Sequence, residues 1–113
     1  MISSKNFRTS IFAACLLLSM QHATAGDVVA GRNKAEMMCA NCHGVDGIAT
    51  LPGAANLAGQ QNEYLRGQLK AYRSGSRVDS VMGVVAKTLT DDDISNLAAW
   101  YSSIKVTVEA PAQ

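Results

Sequence analysis

Beyond its first 25 residues the sequence has no phenylalanine, only two cysteines and a single histidine. Aromatic residues make up 5% of the chain, and past that point they are Tyr64, Tyr72, Trp100 and Tyr101 alone. So small a stock of large side chains cannot fill a sizeable interior, and a domain of this kind needs a staple, a metal or a bulky cofactor to complete its core. An excess of charge of one sign is missing too. Residues 26–113 carry eight Lys or Arg and nine Asp or Glu, a net charge of −1. That balance offers neither a basic stripe for nucleic acid nor a polybasic patch for a membrane surface. The apolar run at residues 11–20 (IFAACLLLSM) falls well short of the ~20 residues that a spanning helix needs.

That run sits in the setting of an export signal. Lys5 and Arg8 precede it, and Ala23-Thr24-Ala25 follows as a small-x-small cleavage site. The sequence therefore predicts a cleaved secretory leader over residues 1–25, no stable membrane anchor, and a mature protein starting near Gly26. Cys15 lies inside the run and not at its end, where a lipid-bearing cysteine would stand, and reads as a small hydrophobe of the leader. The remaining 88 residues suit one small domain, placed at 26–105, with a loosely ordered tail at 106–113.

The coarse pattern is helical, with no convincing strand and no internal repeat. Residues 28–40 (VVAGRNKAEMMCA) place Val28, Ala35, Met38 and Cys39 at roughly helical spacing, though Gly31 weakens the pattern. Residues 44–60 read as loop, punctuated by Gly44, Gly47, Pro52, Gly53 and Gly59. Asn62 can cap a helix running to about Arg73, with a stripe of Leu65, Leu69 and Tyr72 and a stop at Gly75. A connecting segment, 74–89, has room for a helical turn near Val84 to Ala86. Thr90-Asp91-Asp92-Asp93 then reads as a capping box, with acidic residues in the first turn where the helix dipole favours them. Ile94, Leu97, Tyr101 and Ile104 repeat on one face of that last helix. A cation held by the three aspartates is the lesser reading.

The remaining thiols and imidazole stand together as Cys39-Ala40-Asn41-Cys42-His43. A redox disulfide of thioredoxin type needs a strand before the motif and a βαβ setting, and no such alternation exists. Zinc needs four ligands, or three and a water; closing a site with Cys42 and the adjacent His43 is strained, and no further Cys or His can complete it. Cys-x-x-Cys-His matches the attachment sequence of c-type haem. Each thiol adds across one porphyrin vinyl group, and the neighbouring imidazole lies beneath the iron as its proximal ligand. Export agrees, since attachment of this kind is an export-side process.

The ligand on the iron's other face decides between electron transfer and small-molecule binding. Met37 and Met38 precede the motif so closely that their sulfurs stay on its side of the ring, and they read as packing residues. Met82 lies 39 residues beyond His43 on a connecting segment, long enough to wrap around the haem edge, and is the predicted sixth ligand.

Several segments in order resemble the small class I c-type cytochromes, most closely the bacterial c4 and c553 type: CANCHGVDG at 39–47, NLAGQ at 56–60, YLRGQLKAYRSGSR at 64–77, VMGVVAKTLTDDDI at 81–94 and LAAWYSS at 97–103. The resemblance runs from about Gly26 to Ser103, nearly the whole of the expected mature chain. It implies an all-α cytochrome c fold, a small helical shell around one covalent haem c in which the first and last helices cross. It also implies the methionine seven residues before the Leu that opens the last helix, the place Met82 holds before Leu89. In the family Leu57 presses on the haem face and Arg77 lies near the propionates. The family commonly has a proline whose carbonyl accepts the proximal histidine's N–H; here Ala55 stands there, keeping the carbonyl but losing a rigid φ.

These features predict a periplasmic carrier of single electrons. Histidine and methionine fill both axial positions, leaving no place for substrate, and no nucleophile or paired acid and base lies near the motif. The expected partners are redox proteins, a membrane reductase or dehydrogenase as donor and an oxidase or reductase as acceptor, with the protein a monomer or weak dimer. An electron-transfer subunit of a larger oxidoreductase, or a haem sensor with a labile sixth ligand, are the alternatives.

Overall fold

A computed structural model describes residues 25–112, so the expected leader lies outside the described residues except for Ala25. Five helices follow one another: α1 (Val28–Met38), α2 (Ala40–His43), α3 (Asn62–Ser74), α4 (Met82–Lys87) and α5 (Asp91–Ser103). The described residues contain no strand.

Two boundaries differ from the sequence pattern. The first helix does not run on to Ala40 but turns at Cys39, whose N–H still donates to the Ala35 carbonyl, before the single turn of α2. α3 includes Asn62 as its first residue, and Gln61 holds the cap position without a side-chain bond. The Asn62 amide instead reaches Ser102 on α5, at 3.5 Å. The other local signals hold. Gly75 closes α3 with φ at 84°, and Thr90 and Asp93 form the capping box of α5. The acidic start of α5 is spoken for by protein groups, since Asp91 pairs with Arg73 and Asp93 with Lys34 at 3.0 Å. Among the described residues no group of three or more His, Cys, Asp or Glu is placed to hold a metal ion.

α1 crosses α5, and α3 packs on both α4 and α5. The apolar stripe expected on α1 holds at Ala35 and Cys39 and fails at Val28 and Met38. Val28 and Met38 are exposed, and the residues turned inward are Gly31 and Ala35, with Cys39 packed against the core below them. They are spaced four apart, and their small size lets the backbones approach. A Cβ built at Gly31 would lie 1.9 Å from the Asn96 carbonyl oxygen of α5, so glycine is the residue that permits this crossing. Asp27 caps α1 with its side chain and donates its own N–H to the Asn96 side chain at 2.7 Å.

The buried cluster comprises Ala35, Leu65, Leu89, Ile94, Leu97, Ala98 and Tyr101, with Leu57, Leu69, Trp100 and Ile104 packed against it. Among the described residues, the largest fully buried side chains are Ile94 and Leu97. This is the thin core that the shortage of aromatics implies, and α3 shows where it ends: Leu65 is buried, but Leu69 and Tyr72 on the same stripe are only half-buried because they line a cavity.

Candidate functional site

The cavity opens between α3, α5, the loop after α2 and the start of α4, and its walls are largely apolar. Leu57, Leu65, Leu69, Leu89, Leu97, Ala98 and Tyr101 form them. Cys39 and His43 enter from one connecting region and Met82 from another, so residues 43 positions apart in sequence share one space. Leu57 and Arg77 also line it. Cys42 does not, lying in the same helical turn with a free, half-buried thiol like that of Cys39. Met37 and Met38 are absent from the walls, and Met37 is 71% exposed.

The loop after the motif is built around His43. The Cys42 carbonyl accepts from Thr50 and Leu51, and the Gly47 carbonyl from Leu57 and Ala58, at 2.7 and 3.1 Å respectively for the last pair. Gly47 makes the fold-back possible: its φ is 77°, and an added Cβ would meet the Ala58 nitrogen at 2.5 Å. Asn56 pins the returning strand of the loop by accepting the Ala49 N–H at 2.7 Å. From α5, the Trp100 indole donates to the Val45 carbonyl at 2.7 Å and the Tyr101 hydroxyl to the Gly44 carbonyl at 3.1 Å. Sequence patterning put Tyr101 on a core face but gave no sign that both aromatics also tie down this loop.

This scaffold carries the Ala55 carbonyl to His43 Nδ1, at 2.7 Å. A carbonyl can only accept, so Nδ1 bears the proton and Nε2 is left with its lone pair free for a metal. Ala55 thus supplies the hydrogen bond expected at this place, and Asn56 and Gly47 provide restraint that a proline would otherwise give. The Ala55 N–H makes no hydrogen bond among the described residues. Ala55→Pro is therefore expected to raise unfolding free energy by about 0.5–1 kcal/mol, by narrowing the unfolded chain. A urea titration checks this, and a lower midpoint would mean that the native φ at 55 does not suit proline.

Electrostatically the cavity is quiet. Burial pushes the Cys39 thiol above its ordinary range, and burial with the neighbouring Cys39 raises the Tyr101 phenol. Both are neutral at physiological pH. Arg77 brings the one guanidinium in the wall; it is held by Gln68 Oε1 and lies 4.6 Å from the Tyr72 ring centroid. Arg77 is exposed, yet these two neighbours hold it beside the cavity.

Met82 opens α4, and the chain before it is organised by Asp79, which no sequence pattern singled out. Asp79 Oδ1 accepts the N–H groups of Val81 and Met82, at 2.9 and 2.7 Å. An Asp three residues ahead of a short helical turn is the signal that could have found it.

Apolar walls, two thiols and a histidine in attachment spacing, and an imidazole with Nε2 free fit a covalently bound haem. Comparison with known proteins agrees. Residues 28–105 match the cytochrome c family. The cytochrome c-554(548) of Halomonas halodenitrificans is 44% identical over 82 residues, 70% of this chain and 98% of that protein. Cytochrome c4 from Pseudomonas stutzeri has a similar structure, with a TM-score of 0.64 at 37% identity over 74% of this chain and 48% of that one. A thiosulfate dehydrogenase from Marichromatium purpuratum reaches a TM-score of 0.66 at 35% identity over 76% of this chain and 20% of that one. The chain spans about half the length of the cytochromes c4 it matches. With the all-α fold and the attachment motif, these matches show that the chain belongs to the cytochrome c family, electron carriers with covalently bound haem c.

Proposed function

We propose that this protein is a periplasmic one-electron carrier, tied to its haem through Cys39 and Cys42 and holding the iron between His43 Nε2 and Met82 Sδ. The observation that carries this reading is an apolar cavity that His43 and Met82 both line and from whose walls Met37 and Met38 are absent. Bound haem c supplies a ferric–ferrous couple. The chain's own residues do the rest. Ala55 fixes the His43 tautomer and ring orientation, and leucines exclude water. With His43 and Met82 both holding the iron, no position would be left for substrate, and little rearrangement would accompany transfer of one electron. That makes a carrier and not a catalyst.

Export to the periplasm is supported by the leader pattern in residues 1–25, and no helix of the described residues is long and apolar enough to cross a membrane. The partners are redox proteins, a membrane reductase or dehydrogenase on one side and an oxidase or reductase on the other. A second reading, an electron-transfer subunit of a larger oxidoreductase, draws support from the likeness to part of a thiosulfate dehydrogenase. Native purification separates the two: a free monomer or weak dimer that exchanges electrons in solution favours the carrier.

The decisive experiment is an optical spectrum of protein made in cells that mature c-type haem. Haem should resist acid-acetone extraction, and the ferric protein should show the weak long-wavelength band of sulfur bound to iron. Met82→Ala should abolish that band without releasing haem. Extractable haem would refute the attachment, and a band surviving in the variant would move the sixth ligand to another methionine.

A further inference from the structure

α4 has little reason to form by itself. It is six residues long, includes Gly83 and two β-branched valines, and buries only Ala86. Its formal N-cap residue, Val81, contributes no side-chain hydrogen bond. The N–H groups of its first turn would be left to water. Asp79 meets that need: its carboxylate accepts from Val81 and from Met82, and its carbonyl accepts the Gly83 N–H at 3.0 Å. The two N–H donors hold its carboxyl below the usual carboxylate range. Asp79 is exposed and joins no core cluster, so packing does not account for it. One of its bonds ends on the backbone of Met82, which lines the cavity.

We propose that Asp79 is a positioning residue for the sixth ligand: its carboxylate fixes where the Met82 backbone enters α4 and so keeps the thioether on station against competing ligands. This rests on the reading of Met82 as ligand. Without the cap the first turn of α4 frays, Met82 gains freedom, and a soluble ligand displaces it more easily. An amide oxygen at position 79 can accept the same two bonds, so the role belongs to the acceptor and not to its charge.

The test uses ferric holoprotein and added imidazole as the competing ligand. Asp79→Ala should bind imidazole about tenfold more tightly than the parent, the scale of one N-cap, and Asp79→Asn should stay within about twofold. Thr90→Ala, which removes the capping box of α5 and none of the bonds of Asp79, should lower the unfolding midpoint yet leave imidazole affinity at the parent value. Parent-like affinity in Asp79→Ala would overturn the proposal. So would equal tightening in Asp79→Asn, which would point to charge, or in Thr90→Ala, which would point to general loosening. The parent and Met82→Ala spectra are recorded alongside. A sulfur band that survives Met82→Ala refutes the ligand reading itself, and the Asp79 role with it, whereas a band lost there confines any failure to Asp79.

Discussion

Gly31→Ala is expected to cost this protein about 3 kcal/mol or more, and Gly31→Val to leave little folded holoprotein to isolate. The added Cβ would stand 1.9 Å from the Asn96 oxygen, 2.6 Å from its carbonyl carbon and 2.9 Å from Trp100 Cβ. The first two are backbone atoms within a helix, and no rotamer change relieves them; α1 and α5 must move apart. Parting them disturbs Trp100 and Tyr101, which hold the loop at Gly44 and Val45, and thereby the carbonyl that orients His43. Against a total stability of roughly 5–15 kcal/mol for a small domain, such a loss is a large fraction. Denaturant unfolding measures it, and Gly67→Ala is the matched control. A Cβ at Gly67 meets nothing within 4 Å, so that helix-interior change should stabilise by about 0.5–1 kcal/mol. Equal stability of Gly31→Ala and the parent would show that the crossing is looser than drawn.

Met82→His should leave a carrier that works at the wrong potential. A soft thioether favours ferrous iron and raises the potential, whereas a second imidazole favours ferric iron. The midpoint should fall by on the order of 0.1 V or more, within the ~0.8 V range that axial ligands command. Haem should stay covalently bound, because Cys39 and Cys42 are untouched. Potentiometric titration gives the shift and the loss of the sulfur band confirms its origin. An unchanged midpoint would be incompatible with Met82 on the iron.

The parts of the molecule legible in the sequence were those set by short-range chemistry. Covalent attachment demands its own spacing, which is why Cys39, Cys42 and His43 stood out. The capping box at Thr90 and the stop at Gly75 are likewise local, and both hold in the structure. What escaped notice depends on distant partners. Hydropathy favoured Val28 and Met38 beside Ala35 for the inner face of α1, yet close backbone approach selects small residues there, and Gly31, which carries no hydrophobic signal, takes an inward place. Asn62 read as a cap because asparagine is a good one, but α5 lies within reach of its amide. At the site, Leu57, Arg77 and Met82 do line one cavity with Cys39 and His43, as the family pattern suggests. The support from Asn56 and Asp79 was hidden, since a side chain bonded to backbone leaves no periodic trace.

The bond from Asp27 to Asn96 joins residues 69 positions apart, and it belongs to the crossing on which α1 depends for burial, since the inward residues of α1 are Gly31 and Ala35. Neither end of the domain can therefore be assembled first and kept. The entropy of closing so long a loop is spent before most of the native contacts exist to offset it. Folding should thus be slow for a helical chain of this size and opening should be all-or-none, with no stable half-domain that keeps the first helix and sheds the last. A protease that removes α5 would take away Leu97, Ala98 and Tyr101 from the cavity wall in one cut, exposing to water a cofactor still tethered by its thioethers.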